Sequence, residues 1–110
     1  MNARMLKYLA FAAFTLMGGV QVASAHGPQT VEISKLVFSP AEITMHAGDT
    51  IIWVNKDSIA HTATGTMGGP WEVMLPPGKT VESQLTTPGT VEYHCRFHPN
   101  MKGRITVLSK

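Results

Sequence analysis

The chain has 110 residues, 44% of them hydrophobic, and a formal net charge of +2; this bounds it to one small domain and offers nucleic acid no basic run interleaved with aromatics. The charge is unevenly spread: Arg4 and Lys7 supply the whole excess, so residues 26–110 carry seven basic and seven acidic side chains. A single cysteine, Cys95, excludes an internal disulfide.

Residues 1–25 read as a secretory signal peptide. Arg4 and Lys7 form a positive start, residues 8–20 are largely apolar, and Ala23-Ser24-Ala25 is a small-x-small cleavage box. The apolar run is short for a bilayer about 30 Å thick, so a removed signal is expected rather than a membrane anchor. That leaves residues 26–110, 85 in all, as a single exported domain, expected in the periplasm with no membrane segment after cleavage.

Beyond it, short β-prone runs alternate with turn residues, which predicts an all-β sandwich or barrel. Residues 30–37 form a first strand, ended by Ser39-Pro40, and residues 42–45 a second, closed by Ala47-Gly48-Asp49. Residues 50–55 (Thr-Ile-Ile-Trp-Val-Asn) are β-branched and aromatic and read as a buried central strand. Pro76-Pro77-Gly78 turns into an alternating strand at 79–86, Pro88-Gly89 turns into 90–95, and 103–108 is the last strand. No segment shows a helical period.

The chemistry concentrates near the end of the chain. Cys95, His98 and Met101 follow one another at three-residue steps, and another imidazole, His61, lies 34 residues before Cys95, just past the central strand. Alternation points Val91, Tyr93 and Cys95 into the sandwich and Thr90, Glu92 and His94 outward, so Cys95 ends a buried face and His94 is a poor ligand. His98 and Met101 fall in the loop beyond. An exported thiol is a liability in an oxidising compartment, and metal ligation resolves that tension. Two histidines, one cysteine and a weak axial methionine are the ligand set of a blue-copper electron-transfer site. Spacing alone leaves His46 and His26 as rivals of His61, and Met67 and Met74 as rivals of Met101. His26, as a new N-terminus, would also offer an amine and an imidazole for a separate copper chelate. The backbone N–H of Thr62 is placed to donate to the cysteine sulfur, and Asn55 to brace the ligand loop.

These motifs resemble the cupredoxins, and within them the amicyanin and plastocyanin/pseudoazurin-like group. The resemblance is carried by Ile33-Ser34, by Ala47-Gly48-Asp49-Thr50 with Ile52-Trp53-Val54-Asn55, by His61, and by residues 89–95 with His98-Pro99, Met101 and Gly103. The two-residue gap between His98 and Met101 looks like amicyanin. The resemblance implies a Greek-key β-sandwich of about eight strands, with one type 1 copper ion held by His61, Cys95, His98 and Met101. It implies a monomer that passes single electrons between periplasmic redox proteins, such as an amine dehydrogenase and a c-type cytochrome. It also implies an exit through His98, ringed by apolar residues, here Phe97, Pro99 and Trp71 or Met74. Arg96 and Lys102 flank that patch, and as rim charges they are expected to steer an acidic partner. The chain departs from the family pattern at Thr62, where asparagine is common, and over residues 63–77.

A copper chaperone or store using the same ligands is the alternative function. An enzyme is not expected, because catalysis needs an open coordination position or a second centre.

Overall fold

The computed structural model describes residues 27–67 and 71–110. The signal-peptide reading, its cleavage site and His26 lie outside the described residues. Among the described residues nine strands run in chain order: β1 (Gln29–Ser34), β2 (Val37–Ser39), β3 (Glu42–His46), β4 (Thr50–Asn55), β5 (His61–Met67), β6 (Glu72–Leu75), β7 (Thr80–Gln84), β8 (Gly89–Cys95) and β9 (His98–Leu108). They form two sheets, one in the order β2-β1-β4-β7 and the other β3-β9-β8-β5-β6. The pairs β1·β4 and β3·β9 are parallel and the remaining ladders antiparallel. Among the described residues there is no helix.

Alternation builds the core between the sheets. Val31 and Ile33 of β1, Ile51 and Trp53 of β4, Val91, Tyr93 and Cys95 of β8, and Ile105 and Val107 of β9 all face inward. Phe38, Trp53 and Tyr93 meet edge to face, with ring centroids 4.8 Å (Phe38–Tyr93), 5.4 Å (Trp53–Tyr93) and 6.2 Å (Phe38–Trp53) apart. Such pairs add about 0.5–1.5 kcal/mol each beyond area burial. The hydroxyl end of the Tyr93 ring lies against Gly103 across the β8·β9 ladder, where any Cβ would overlap it. That contact is why a glycine stands in the middle of β9.

The fold differs from the sequence reading in three places. The strand expected at 30–37 breaks at Lys35 and Leu36, whose φ angles are +54° and +63°. Left-handed backbone costs roughly 1–2 kcal/mol at a non-glycine residue, and here it folds β2 back on β1. Two strands, β5 and β6, stand where no strand was expected. They flank residues 68–70, and β5 (His-Thr-Ala-Thr-Gly-Thr-Met) carries its β-propensity in threonines rather than in a hydrophobic run. Finally, His98 and Met101 belong to β9 rather than to a loop. The β8·β9 ladder pairs His94 with Lys102 but Cys95 with His98, so residues 99–101 bulge out of register. The irregularity turns His98 and Met101 back toward Cys95, as bulges commonly re-aim side chains.

Candidate metal centre

One end of the sandwich collects the chemistry. Cys95 closes β8, His61 opens the neighbouring β5, and His98 begins β9. Cys95 Sγ lies 3.6 Å from His61 Nδ1 and 3.7 Å from His98 Nδ1. The three donor atoms all fall within 4.8 Å of one another. A first-row ion about 2.3 Å from a thiolate and about 2.0 Å from an imidazole places sulfur and nitrogen nearly 3.8 Å apart at trigonal angles. The donors therefore stand at the spacing of ligands around a common ion. The two imidazoles cross edge to face, with ring centroids 5.2 Å apart.

Burial sorts the donors. His61 and Cys95 are 0% exposed and Met101 is 4% exposed, whereas His98 is half-buried. Met101 lines the same surface groove as His98, together with Leu36, Phe97, Pro99 and Asn100. The rivals sit elsewhere. His46 pairs with Leu108 at the opposite end of the sandwich, and its Nδ1 lies 3.9 Å from Asp49 Oδ2. It is not the exposed turn histidine that its position beside Gly48 suggests, for its side chain is only 13% exposed. Met74 points to solvent. The Met67 backbone pairs with Glu92, three positions back along β8 from Cys95.

Hydrogen bonds hold Cys95 and His61. The Thr62 N–H donates to Cys95 Sγ at 3.4 Å, as its position predicts. The Thr62 hydroxyl accepts from the Arg96 N–H at 2.8 Å, tying down the residue after the cysteine. Thr64 donates its only hydrogen to Glu72 Oε1 at 2.8 Å, so the Thr62–Thr64 bond, also 2.8 Å, runs from Thr62 to Thr64. Arg96 closes the ring with two bonds to Glu72, Nε at 2.9 Å and Nη2 at 2.8 Å. The hydrogen bonds from Arg96, then Thr64, hold the Glu72 carboxyl down at about 2.

Asn55 is buried, and its amide donates to the carbonyls of Ile59 (3.0 Å), Leu75 (3.0 Å) and Pro76 (3.2 Å) while its oxygen accepts from the Asp57 N–H at 2.9 Å. The loop it braces is therefore the one leading into His61. Within that loop, Asp57 Oδ2 accepts from His61 Nε2 at 2.9 Å. Sequence reasoning missed Asp57, Thr64 and Glu72. The signal for Asp57 was an Asn-x-Asp-Ser turn composition four residues ahead of His61. For Thr64 and Glu72 there was none, since β5 and β6 had to be paired first.

The surface around His98 also departs from expectation. Phe97 is 45% and Leu36 46% exposed, and together with Pro99 they make an apolar rim. Trp71 instead packs inward on Tyr93, 6.2 Å between centroids. Leu36, unforeseen, arrives on the β1–β2 turn. Arg96, expected as a free steering charge, is bound to Glu72 and stacked 4.9 Å from the Phe97 ring centroid. Lys102 is exposed.

A two-sheet sandwich with a Cys-His-His donor set sealed at one end defines a small single-centre metalloprotein. The cupredoxin-like domain family matches residues 7–107. Amicyanin of Paracoccus denitrificans is 31% identical over 91 residues, 76% of this chain and 67% of that one. Amicyanin-alpha of Methylorubrum extorquens is 33% identical over 96 residues, 80% and 77% of the two chains. Plastocyanin of Scenedesmus fuscus is 32% identical over 85 residues, 66% and 87%. Among solved structures, a reduced Cu(I) amicyanin variant at pH 4 superposes with a TM-score of 0.65 at 29% identity, covering 79% of this chain and 86% of that one. The chain belongs to the cupredoxins, the family of blue copper electron carriers, and its cofactor is one type 1 copper ion.

Proposed function

We propose that His61, Cys95, His98 and Met101 hold the copper, and that the protein carries single electrons between redox partners in the periplasm. Copper bound there supplies one-electron chemistry, cycling between Cu(II) and Cu(I). The observation that carries this reading is the trigonal spacing of the three donors around a fully buried thiolate. Cys95, His61 and Met101 exclude water, so little solvent has to rearrange when charge changes. The Thr62 N–H draws charge from the sulfur and favours the reduced ion. His98 alone reaches the surface, at an apolar rim suited to brief encounters of small area. The closed site argues for a carrier and against an enzyme, because no position is open to a substrate.

Residues 1–25 are proposed as the export signal and 26–110 as the mature, monomeric domain. The likeness to amicyanins points to an amine dehydrogenase as donor and a c-type cytochrome as acceptor. Repeated reduction and reoxidation in the presence of excess Cu(I) chelator tests the central reading. A carrier returns one electron per copper over many cycles with no metal lost. Loss of copper to the chelator at the first reduction would overturn it in favour of a copper store or chaperone.

A further inference from the structure

Asp57 touches more of this end of the molecule than its loop position suggests. Its carboxylate accepts from the Lys35 N–H through Oδ1 at 2.7 Å and from the Leu36 N–H through Oδ2 at 3.0 Å. Oδ2 also accepts from His61 Nε2 at 2.9 Å. Lys35 and Leu36 are the two non-glycine residues with left-handed backbone among those described. Leu36 is also the one wall of the groove beside His98 that does not come from residues 97–101. One carboxylate thus fixes a buried imidazole and the turn that carries part of the apolar rim.

We propose that Asp57 is a positioning residue with two linked tasks: it sets the orientation and basicity of His61 toward copper, and it holds Leu36 at the rim beside His98. This rests on the copper-carrier reading above. A carboxylate on the far nitrogen of a ligand histidine leaves Nδ1 free for the metal and makes it a stronger donor. A stronger anionic environment favours the more highly charged ion, so Asp57 lowers the reduction potential. Its side chain is 16% exposed, so solvent screens that charge only in part. The same carboxylate satisfies two adjacent N–H groups that left-handed backbone points to one side, a local anion-binding arrangement. Burial pushes the Asp57 carboxyl up, but hydrogen bonds from Leu36, His61 and Lys35 outweigh it and leave it below its ordinary value.

Asp57→Asn separates the tasks from mere packing. The single amide oxygen can still serve Leu36 and His61, but the amide NH2 then faces the Lys35 N–H, donor to donor. Two quantities are measured: the copper reduction potential, and hydrogen exchange of the Lys35 and Leu36 amides in metal-free protein. The proposal expects about a tenfold shift of the equilibrium toward Cu(I), about 60 mV upward for one electron, with the blue absorption retained. It also expects exchange at the Lys35 amide, which loses its acceptor, to be at least tenfold faster. A potential that moves by less than a twofold equilibrium shift overturns it, and so does an unchanged Lys35 amide. If Asp57→Asn does not fold, both measurements are made in a Lys35→Gly background, where glycine adopts the turn without strain. Failure of unaltered protein to bind copper would instead refute the carrier reading, and the amide exchange would still report on the turn.

Discussion

Replacing Asn55 by alanine should cost about 2–4 kcal/mol. Asn55 is 1% exposed and has two amide hydrogens for three carbonyls, so one bond is shared. Its oxygen takes the Asp57 N–H. In Asn55→Ala the Leu75 carbonyl, buried in the native packing, loses its side-chain donor, and an abandoned buried polar group costs about 1–3 kcal/mol. The carbonyls of Ile59 and Pro76 and the Asp57 N–H are only part-buried and recover some of their loss from water. A small cavity adds to the total. A domain of 85 residues has a stability of only about 4–13 kcal/mol. At about 4–8 °C per kcal/mol, Tm should fall by roughly 8–32 °C. Thermal unfolding is followed by circular dichroism on metal-free protein, because bound metal adds stability by mass action. Copper affinity should drop about tenfold as well, since the loosened loop carries Asp57 and His61. Asn55→Asp should be worse than alanine at pH 7, where a carboxylate would face three carbonyls, and should recover as the pH falls and that carboxyl protonates. A Tm within about 5 °C of the parent for Asn55→Ala would refute the reasoning.

Two more expectations follow from the geometry. Gly103→Ala drives a methyl group into the Tyr93 ring and should destabilise by about 1–3 kcal/mol or more; denaturant titration reads it, and an unchanged midpoint would mean that the ring slides aside freely. Glu72, held at about 2 by Arg96 and Thr64, should stay ionised well below the usual carboxylate range. Its folded value is depressed, so its contribution to stability is present above about 4.5 and is lost as pH falls through about 2. A carbon-detected carboxyl titration by NMR checks this, and a Glu72 midpoint above 4 would contradict it.

Much of the site was legible because its signals are local. Cys95, His98 and Met101 lie within seven residues, and β alternation alone orients Cys95 inward. Thr50 to Asn55 carried the central strand in its β-branched and aromatic side chains. The partners that hold the donors were less visible because they are set by pairing. Glu72 reaches Arg96 only because β6 lies beside β5, and neither strand has a hydrophobic run long enough to announce it. The break at Lys35 and Leu36 is hidden for a related reason: no glycine or asparagine marks it, and the hydrogen bonds that make it tolerable come from Asp57, 21 and 22 residues away. The bulge at 99–101 likewise depends on the β8·β9 register rather than on composition.

The central claim, that a thiolate of this chain holds copper in a plane with two imidazoles, is tested most directly by optical and EPR spectra of Cu(II)-loaded protein beside Cys95→Ser. An intense blue thiolate-to-copper band and a small copper hyperfine splitting are expected, both lost in the variant. A pale solution with a large splitting, unchanged by the substitution, would contradict it.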